Sequence, residues 1–282
     1  MSNPPNDRAQ QKDEYAVSYD SLRTTESHAS RTAEVNAAFF LPHLKSGMSL
    51  LDCGCGPGSI TVGLAARADP GQVTGVDVGE SVVEAARRHA VERGVTNVRF
   101  QVASAYELPF PDNSFDAVFT HNMPEHLQDP LKAFQEMHRV LKAGGVLGVR
   151  DIDGAGLLIS GPGEDQIRRA VEIMFKNWLN VSGTPYLGRQ LRSLLREAGF
   201  MRVFAQASYD NYPTGESLTR FMDIYASTFE NERTFIDRVT QSGLADEGEL
   251  REFAEAFRAF GRHPDSFLAN AHCEAVGWKE LV

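Results

Sequence analysis

The sequence predicts an α/β protein with a doubly wound, mostly parallel sheet and helices on both faces. Short apolar segments alternate with segments whose apolar residues recur at helical spacing, from position 48 to position 150. The first of these units joins a strand to a helix through a turn that holds three glycines. Alternation of this kind is typical of parallel sheets, because each crossover between parallel strands needs a long connection.

The individual elements follow from apolar runs and turn residues. A capping box of Ser81 and Glu84 predicts one helix start, and Asp129 followed by Pro130 predicts another. Beyond position 151 the regular alternation ends, and helical spacing continues in four further segments. Strands are predicted at 48–51, 73–77, 98–102, 115–120, 146–150, 203–205 and 267–273, and helices at 13–44, 59–66, 81–94, 130–143, 167–178, 187–198, 218–229 and 250–260.

Composition limits the class of protein. The chain has 282 residues, of which 42% are hydrophobic and 23% charged, as in ordinary globular proteins. No apolar run approaches the ~20 residues that span a bilayer, and the polar first dozen residues resemble neither a signal peptide nor a folded element. We therefore expect a cytoplasmic protein without a membrane span. The net charge of −10 argues against a nucleic-acid partner, and the oligomeric state is left open.

The three cysteines predict neither a disulfide framework nor a metal site. Cys53 and Cys55 are one residue apart, which is not a zinc spacing, and Cys273 stands alone. We expect no bound metal.

The turn from Asp52 to Gly58 is the strongest functional signal. Glycines at 54, 56 and 58 allow a sharp turn and a close approach of the backbone to a ligand at the start of a helix. The spacing differs from the dinucleotide fingerprint, and the lysine of a phosphate-binding loop is missing. A glycine turn without any ligand is the alternative interpretation of this segment alone.

Five segments in order resemble class I S-adenosylmethionine (SAM)-dependent methyltransferases. The chain is most similar to the ubiquinone and menaquinone biosynthesis methyltransferases and to related small-molecule enzymes. The segments are the glycine turn, Val76-Asp77, the turn at 103–116, the stretch at 120–130 and the helix-to-strand turn at 139–145.

The resemblance implies a fold and a division of the chain. It implies a Rossmann-like sheet of seven strands, mostly parallel with the last strand antiparallel, and an inserted helical lid. Residues 1–44 would form an N-terminal helical lid segment, with about the first dozen disordered. Residues 45–151 would form the SAM-binding core. Residues 152–282 would complete the sheet and carry the substrate lid in insertions at about 152–186 and 210–265.

The resemblance also implies the cofactor site. A carboxylate at Asp77 can accept hydrogen bonds from both ribose hydroxyls, although a helix N-cap is the alternative role. Ser104 stands where relatives usually carry an acid that binds the adenine amino group, and its hydroxyl is a weaker acceptor. The predicted cofactor-binding residues are Asp52, Gly54, Cys55, Gly56, Gly58, Asp77, Val78, Ser104, Ala105, Thr120, His121, Tyr15 and Tyr19. For Tyr15 and Tyr19, ordinary packing within the lid is the alternative role.

Methyl transfer needs a general base only when the acceptor must lose a proton early. His121 directly follows the fourth strand and is the first candidate, followed by Glu125, His126 and Asp151. Packing or a structural hydrogen bond is the alternative role for each of these residues.

The C-terminal half is rich in phenylalanine, with ten of the 17 between Phe175 and Phe267. These rings could line a pocket for an apolar or aromatic acceptor, or form the core of the lid itself. We expect a methyltransferase that transfers the methyl group of SAM to an O, N or C atom of a small organic molecule. The alternatives are a macromolecule methyltransferase and a SAM-binding cyclase, sensor or partner subunit that does not methylate.

Overall fold

A computed structural model describes residues 31–281 of the protein. The predicted α/β fold is confirmed, with eight strands in place of seven and with helices around the sheet. The strands are β1 (Leu50–Cys53), β2 (Val73–Asp77), β3 (Val98–Val102), β4 (Phe115–His121), β5 (Leu141–Ile152), β6 (Leu158–Ser160), β7 (Arg202–Asn211) and β8 (Phe267–Trp278). The helices are α1 (Ala33–Asn36), α2 (Ser59–Ala68), α3 (Glu80–Glu92), α4 (Pro130–Val140), α5 (Glu164–Val181), α6 (Leu191–Glu197), α7 (Gly215–Asn231), α8 (Arg233–Gln241) and α9 (Glu247–Arg262).

The strand order is β3-β2-β1-β4-β5-β8-β6, and β7 also pairs with β8. Strands β1 to β5 pair in parallel, whereas β8 runs antiparallel to β5, β6 and β7. The antiparallel last strand was predicted. The eighth strand is β6, whose three residues pair with the beginning of β8 and are too few to give a periodic sequence signal.

The carboxyl ends of β1, β2, β4 and β5 meet at one edge of the sheet, because these strands are parallel. Chain order reverses between β1 and β4, which is where open α/β sheets bind their ligands. The fold therefore brings the glycine turn, Asp77 and the stretch after β4 to the same edge.

A second apolar core joins α5, α7, α8 and α9 and also includes Ile159 of β6 and Leu268 of β8. We call these four helices the C-terminal helical cluster. Phe229, Phe253 and Phe257 pack against one another in its interior, with ring centroids 5.4–5.9 Å from Phe229. Much of the phenylalanine-rich pattern thus belongs to a core.

The helix predicted over 130–143 ends at Val140, because β5 already begins at Leu141. Two further predictions of local structure were wrong. The helix predicted over 13–44 is interrupted in its described part, where α1 ends at Asn36 and a separate 3-10 helix holds Leu41–His43. The capping box at Ser81 does not form, because α3 already begins at Glu80 with Gly79 as its N-cap. The Gly79 N–H donates to Oδ1 of Asp77 over 3.2 Å, so the chain turns into the helix before it reaches Ser81.

Candidate active site

The glycine turn after β1 is held by backbone hydrogen bonds to β2. The N–H groups of Gly54 and Cys55 both donate to the carbonyl oxygen of Val76, over 2.8 and 2.9 Å. Gly54, Gly56 and Gly58 all have positive φ, a conformation that L side chains rarely adopt. The three glycines are therefore explained by the shape of the turn.

Asp77 ties this turn to the end of β2. It is buried, and its Oδ2 accepts the Gly56 N–H over 3.0 Å while its Oδ1 accepts the Gly79 N–H. A carboxylate oxygen can accept more than one hydrogen bond, so this arrangement is compatible with a ribose diol at Asp77. The carboxylate is held in place before any ligand binds.

A narrow cleft, partly open to solvent, lies beside Asp77. Ala105 lies in its wall, and Ser104 uses its Oγ to accept the Tyr106 N–H over 3.2 Å. The lining residues are Cys53, Gly54, Val76, Asp77, Val78, Ala103, Ser104, Ala105, Met123 and Leu127.

Asp52 has a structural partner away from this cleft. Its buried carboxylate accepts the Thr61 hydroxyl of α2 over 2.6 Å. Burial raises the pKa of Asp52 to about 7, against the Thr61 hydrogen bond that lowers it, and the charge of Asp77 adds to the increase. Asp52 is not among the lining residues, and its predicted contact with the cofactor stays a prediction.

The two predicted residues at the end of β4 point to opposite faces of the sheet, since neighbours in a strand alternate. Thr120 is fully buried, and its hydroxyl has no hydrogen-bond partner among residues 31–281. Nε2 of His121 lies 3.0 Å from Nη1 of Arg150 and 3.5 Å from Nδ2 of Asn36. Because a guanidinium only donates, Nε2 accepts, and the ring carries its hydrogen on Nδ1.

Arg150 is the centre of a buried charged network. Its Nη2 donates to Asp210 over 2.6 Å and its Nε to Glu274 over 3.2 Å. His272 stacks on His121 at 6.2 Å, and burial together with the charge of Arg150 lowers the pKa of His272 to about 4. This network was not predicted from the sequence. A charged residue that ends the apolar run of β5 was the available signal.

Glu125 and Asp151 form a buried carboxyl pair at the ends of β4 and β5. The Ile152 N–H donates to Oε2 of Glu125 over 3.2 Å and to Oδ1 of Asp151 over 3.0 Å. The Glu125 N–H donates to Oδ2 of Asp151 over 3.2 Å. Nε2 of His126 lies 3.4 Å from Oε1 of Glu125.

Residues after α5 close over this turn. The Thr184 N–H donates to the Glu125 carbonyl over 2.8 Å, and the Ser182 hydroxyl donates to the His126 carbonyl over 2.9 Å. The His126 ring stacks on Trp178 of α5 at a centroid distance of 4.9 Å. The turn that carries Glu125 is thus packed beneath the C-terminal helical cluster.

One short stretch links the two groups of predicted residues. Met123 and Leu127 line the cleft beside Asp77, while Glu125 and His126 lie between them on the 3-10 helix Pro124–His126. The candidate cofactor residues and the candidate bases are therefore neighbours at one edge of the sheet. The predicted contacts of Tyr15 and Tyr19 lie outside the described residues.

Comparison with known proteins decides the family. Residues 44–199, more than half of the chain, match the methyltransferase domain family. The chain belongs to that family. It is a SAM-dependent methyltransferase.

Relatives of this methyltransferase include a probable methyltransferase of Aspergillus luteorubrus, 31% identical over 95% of the chain and 98% of the relative. An uncharacterized methyltransferase of Schizosaccharomyces pombe is 34% identical, over 73% of the chain and 75% of the relative. A demethylmenaquinone methyltransferase of Listeria monocytogenes is 30% identical, over 72% and 90%. The predicted resemblance to menaquinone-type methyltransferases is confirmed.

Solved structures agree with the fold. The YcgJ protein of Bacillus subtilis matches 88% of the methyltransferase and 99% of its own chain, with a TM-score of 0.57 and 23% identity. A phosphoethanolamine N-methyltransferase of Haemonchus contortus, solved with S-adenosylhomocysteine, has a TM-score of 0.54 at 21% identity over 88% of the methyltransferase and 52% of its own chain.

The residues present fit SAM. The cleft places the buried carboxylate of Asp77 next to apolar walls, as a ligand with a diol and a flat apolar ring requires. Within residues 31–281 there is no group of three or more metal-ligating side chains, and none of the helices in this range is long and apolar enough to cross a membrane.

Proposed function

We propose that this methyltransferase acts on a small organic molecule that binds between the ends of β4 and β5 and the C-terminal helical cluster. Bound SAM would supply the methyl group of its sulfonium to an O, N or C atom of this molecule. Asp77, Val78, Ser104 and Ala105 would hold the adenosine half, and the turn from Gly54 to Gly58 would approach the methionine half.

The observation that carries the proposal is the enclosure of the turn Pro124–His126. Thr184, Ser182 and Trp178 cover this turn from the side of α5, and Glu125 is only 3% exposed. A macromolecular acceptor would need an open approach to the same edge. The net charge of −10 also favours a small molecule over a nucleic acid.

Buried polar atoms without partners support a ligand at this edge. Among residues 31–281, the Thr120 hydroxyl, the Asn122 amide oxygen and the Trp178 indole N–H have no hydrogen-bond partner. Such atoms are rare in folded proteins unless a ligand or water satisfies them. A bound methyl acceptor that carries both hydrogen-bond donors and hydrogen-bond acceptors would supply partners for these atoms.

The geometry favours Glu125 over His121 as the general base. Nε2 of His121 already accepts a hydrogen bond from Arg150, and protonation of the ring would place a second positive charge beside that guanidinium. Glu125 has no such constraint, because a carboxylate can accept several hydrogen bonds. His121 would then help to orient a ligand, and His126 would orient Glu125.

We also propose that the insertions at about 152–186 and 210–265 form the lid over the core of residues 45–151. Of the N-terminal lid segment predicted at 1–44, residues 1–30 lie outside the described part of the chain. Phe175 and Tyr186, whose rings pack 5.8 Å apart, lie on either side of the loop that covers the turn. An apolar or aromatic acceptor fits the aromatic character of this region. The expected location is the cytoplasm.

Incubation of the enzyme with methyl-labelled SAM and a panel of small hydroxyl, amine and carbon acceptors tests the proposal. Label should appear in a small organic product. Label recovered only in added protein or nucleic acid would favour a macromolecular acceptor. Binding of SAM without transfer to either class would favour the non-methylating alternative.

A further inference from the structure

The carboxyl pair of Glu125 and Asp151 goes beyond what methyl transfer alone requires. Both side chains are buried, at 3% and 0% exposure, and one backbone N–H, that of Ile152, donates to both. Two carboxylates this close in a low-dielectric environment cannot both be ionised at neutral pH. A direct hydrogen bond between them needs one proton.

The surroundings indicate which carboxyl holds that proton. Burial, the charge of Glu125 and a hydrogen bond between the two side chains raise the pKa of Asp151 well above its usual range. Burial also raises the pKa of Glu125, but the hydrogen bond from Asp151 and the nearby His126 outweigh burial and lower this pKa overall. Asp151 is therefore the protonated partner and Glu125 the ionised one.

Other charged groups face the pair from each packed element. His126 lies on the same turn, and His272 faces Glu125 from β8. Arg31, just before α1, is close enough for the charge of Glu125 to raise its pKa, although burial lowers it overall. These groups are cationic or neutral, so they stabilise a single negative charge on Glu125.

We propose that Glu125 and Asp151 share one proton at neutral pH and together accept the proton released by the methyl acceptor. The acceptor class is then a molecule with an O–H or N–H at the reacting atom. This inference rests on the proposed function for the acceptor, but the shared proton does not depend on it.

The step balances in atoms and charge. The O–H or N–H bond of the acceptor breaks and its electron pair forms the bond to the methyl carbon, while the electrons of the carbon–sulfur bond stay on sulfur. The proton passes to Glu125. The pair begins with one negative charge and ends neutral, just as the sulfonium loses its positive charge, so the buried site gains no net charge.

A clamp that only fixes the turn Pro124–His126 is the competing role. Asp151→Asn distinguishes the two, because an amide has nearly the shape of a protonated carboxyl and still donates an N–H to Glu125. Its nitrogen cannot accept, so one of the two backbone N–H groups that Asp151 holds, from Glu125 or Ile152, loses its acceptor. Infrared difference spectroscopy at pH 7 should show that Asp151→Asn removes a protonated carboxyl band. Asp153→Asn is the control, since the buried Asp153 pairs with Arg189 through bonds of 2.6 and 2.8 Å. An unchanged carboxyl band in Asp151→Asn would overturn the shared proton, whatever the enzyme methylates.

The second part of the proposal is that the pair accepts the proton of the methyl acceptor. Kinetics with the first O–H or N–H acceptor found in the panel tests it. Glu125→Gln should lower kcat at least ~100-fold at an unchanged KM for SAM, the range expected for a lost general base. Asp151→Asn should fold and stay active. It should move the acidic limb of the kcat–pH profile to higher pH, because an amide stabilises the Glu125 carboxylate less than a carboxylic acid does. Three results would overturn the role of the pair as proton acceptor: full kcat in Glu125→Gln, an unmoved acidic limb in Asp151→Asn, or product from carbon acceptors alone. None of them would affect the spectroscopic test of the shared proton.

Discussion

Nη1 of Arg150 donates to Nε2 of His121 across 3.0 Å, on adjacent strands whose side chains share one face of the sheet. Asp210 and Glu274 hold the other side of the same guanidinium. The imidazole is therefore fixed in orientation and tautomer by a residue that itself cannot turn. This relationship is the reason that we propose His121, the first candidate base from sequence, as a positioning residue and not as the base.

Replacement of Arg150 should lower the free energy of unfolding of the protein. Arg150→Met leaves the buried Glu274 and the half-buried Asp210 without their cation, and loss of one partner of a buried pair costs about 3–5 kcal/mol. Urea unfolding followed by circular dichroism measures this loss. The control is Arg168→Gln, which removes an exposed pair with Glu164 and should cost under about 1 kcal/mol. Equal losses for the two variants would contradict a buried network.

Replacement of Asp77 should weaken cofactor binding. Asp77→Ala removes the acceptor of the Gly56 and Gly79 N–H groups and the partner expected for the ribose diol. Loss of hydrogen bonds to a charged group corresponds to roughly 10- to 100-fold in affinity. Titration calorimetry with S-adenosylhomocysteine measures it, and Asp165→Ala, at an exposed position of α5, is the matched control. Undiminished affinity in Asp77→Ala would remove this carboxylate from the cofactor site.

Asp52 should make stability depend on pH. Its pKa is about 7 in the folded protein, against about 3.9 when unfolded. Between these values the folded state holds a proton that the unfolded state has lost, so the free energy of unfolding falls as pH rises through this window. Above pH 7 the ionised Asp52 costs roughly 4 kcal/mol.

Asp52→Asn removes this titration while keeping an acceptor for Thr61. Relative to wild type, the variant should gain stability from pH 5 to pH 8, as measured by urea unfolding at each pH. A difference between the two proteins that stays constant across this range would show that Asp52 has an ordinary pKa.

Gly183 should be required for the position of Glu125. Its φ is +72°, and a Cβ there would collide with the carbonyl oxygen of Glu125. Gly183→Ala therefore has to displace the turn, and we expect a loss of methyl transfer together with ~1–3 kcal/mol of stability. Gly243 has a similar φ of +68° but open space around it. Gly243→Ala should lose only about 1 kcal/mol and keep full activity, so equal activity in the two variants would contradict the collision.

The parts of the fold that sequence predicted are those encoded by local pattern. The boundaries of β2 and β3 match the predicted segments, and α4 begins at Asp129 and Pro130, where the Asp129 carboxylate accepts the Lys132 N–H. The glycine turn and Asp77 were also predicted, because a turn and the strand end beside it are local features.

Long-range pairing could not be predicted. Arg150 meets Glu274, 124 positions later, only because β8 inserts between β5 and β7. The carboxyl pair likewise depends on β4 and β5 ending side by side. Glu125 and Asp151 could therefore be predicted as candidate bases, but their contact with each other could not. The end of α1 at Asn36 was not predicted, because Phe39 and Phe40 continue the apolar pattern beyond it. These two rings belong to an apolar core, and their packing there does not require a continuous helix.

Met123 and Leu127 line the cleft beside Asp77, and the residues between them include Glu125 of the proposed acceptor site. A displacement of this stretch that favours one ligand changes the affinity for the other. Thermodynamic linkage makes the effect mutual, so the cofactor must alter acceptor binding by the same factor as the acceptor alters cofactor binding. Once the methyl group has been transferred, departure of either product then changes how tightly the other is held.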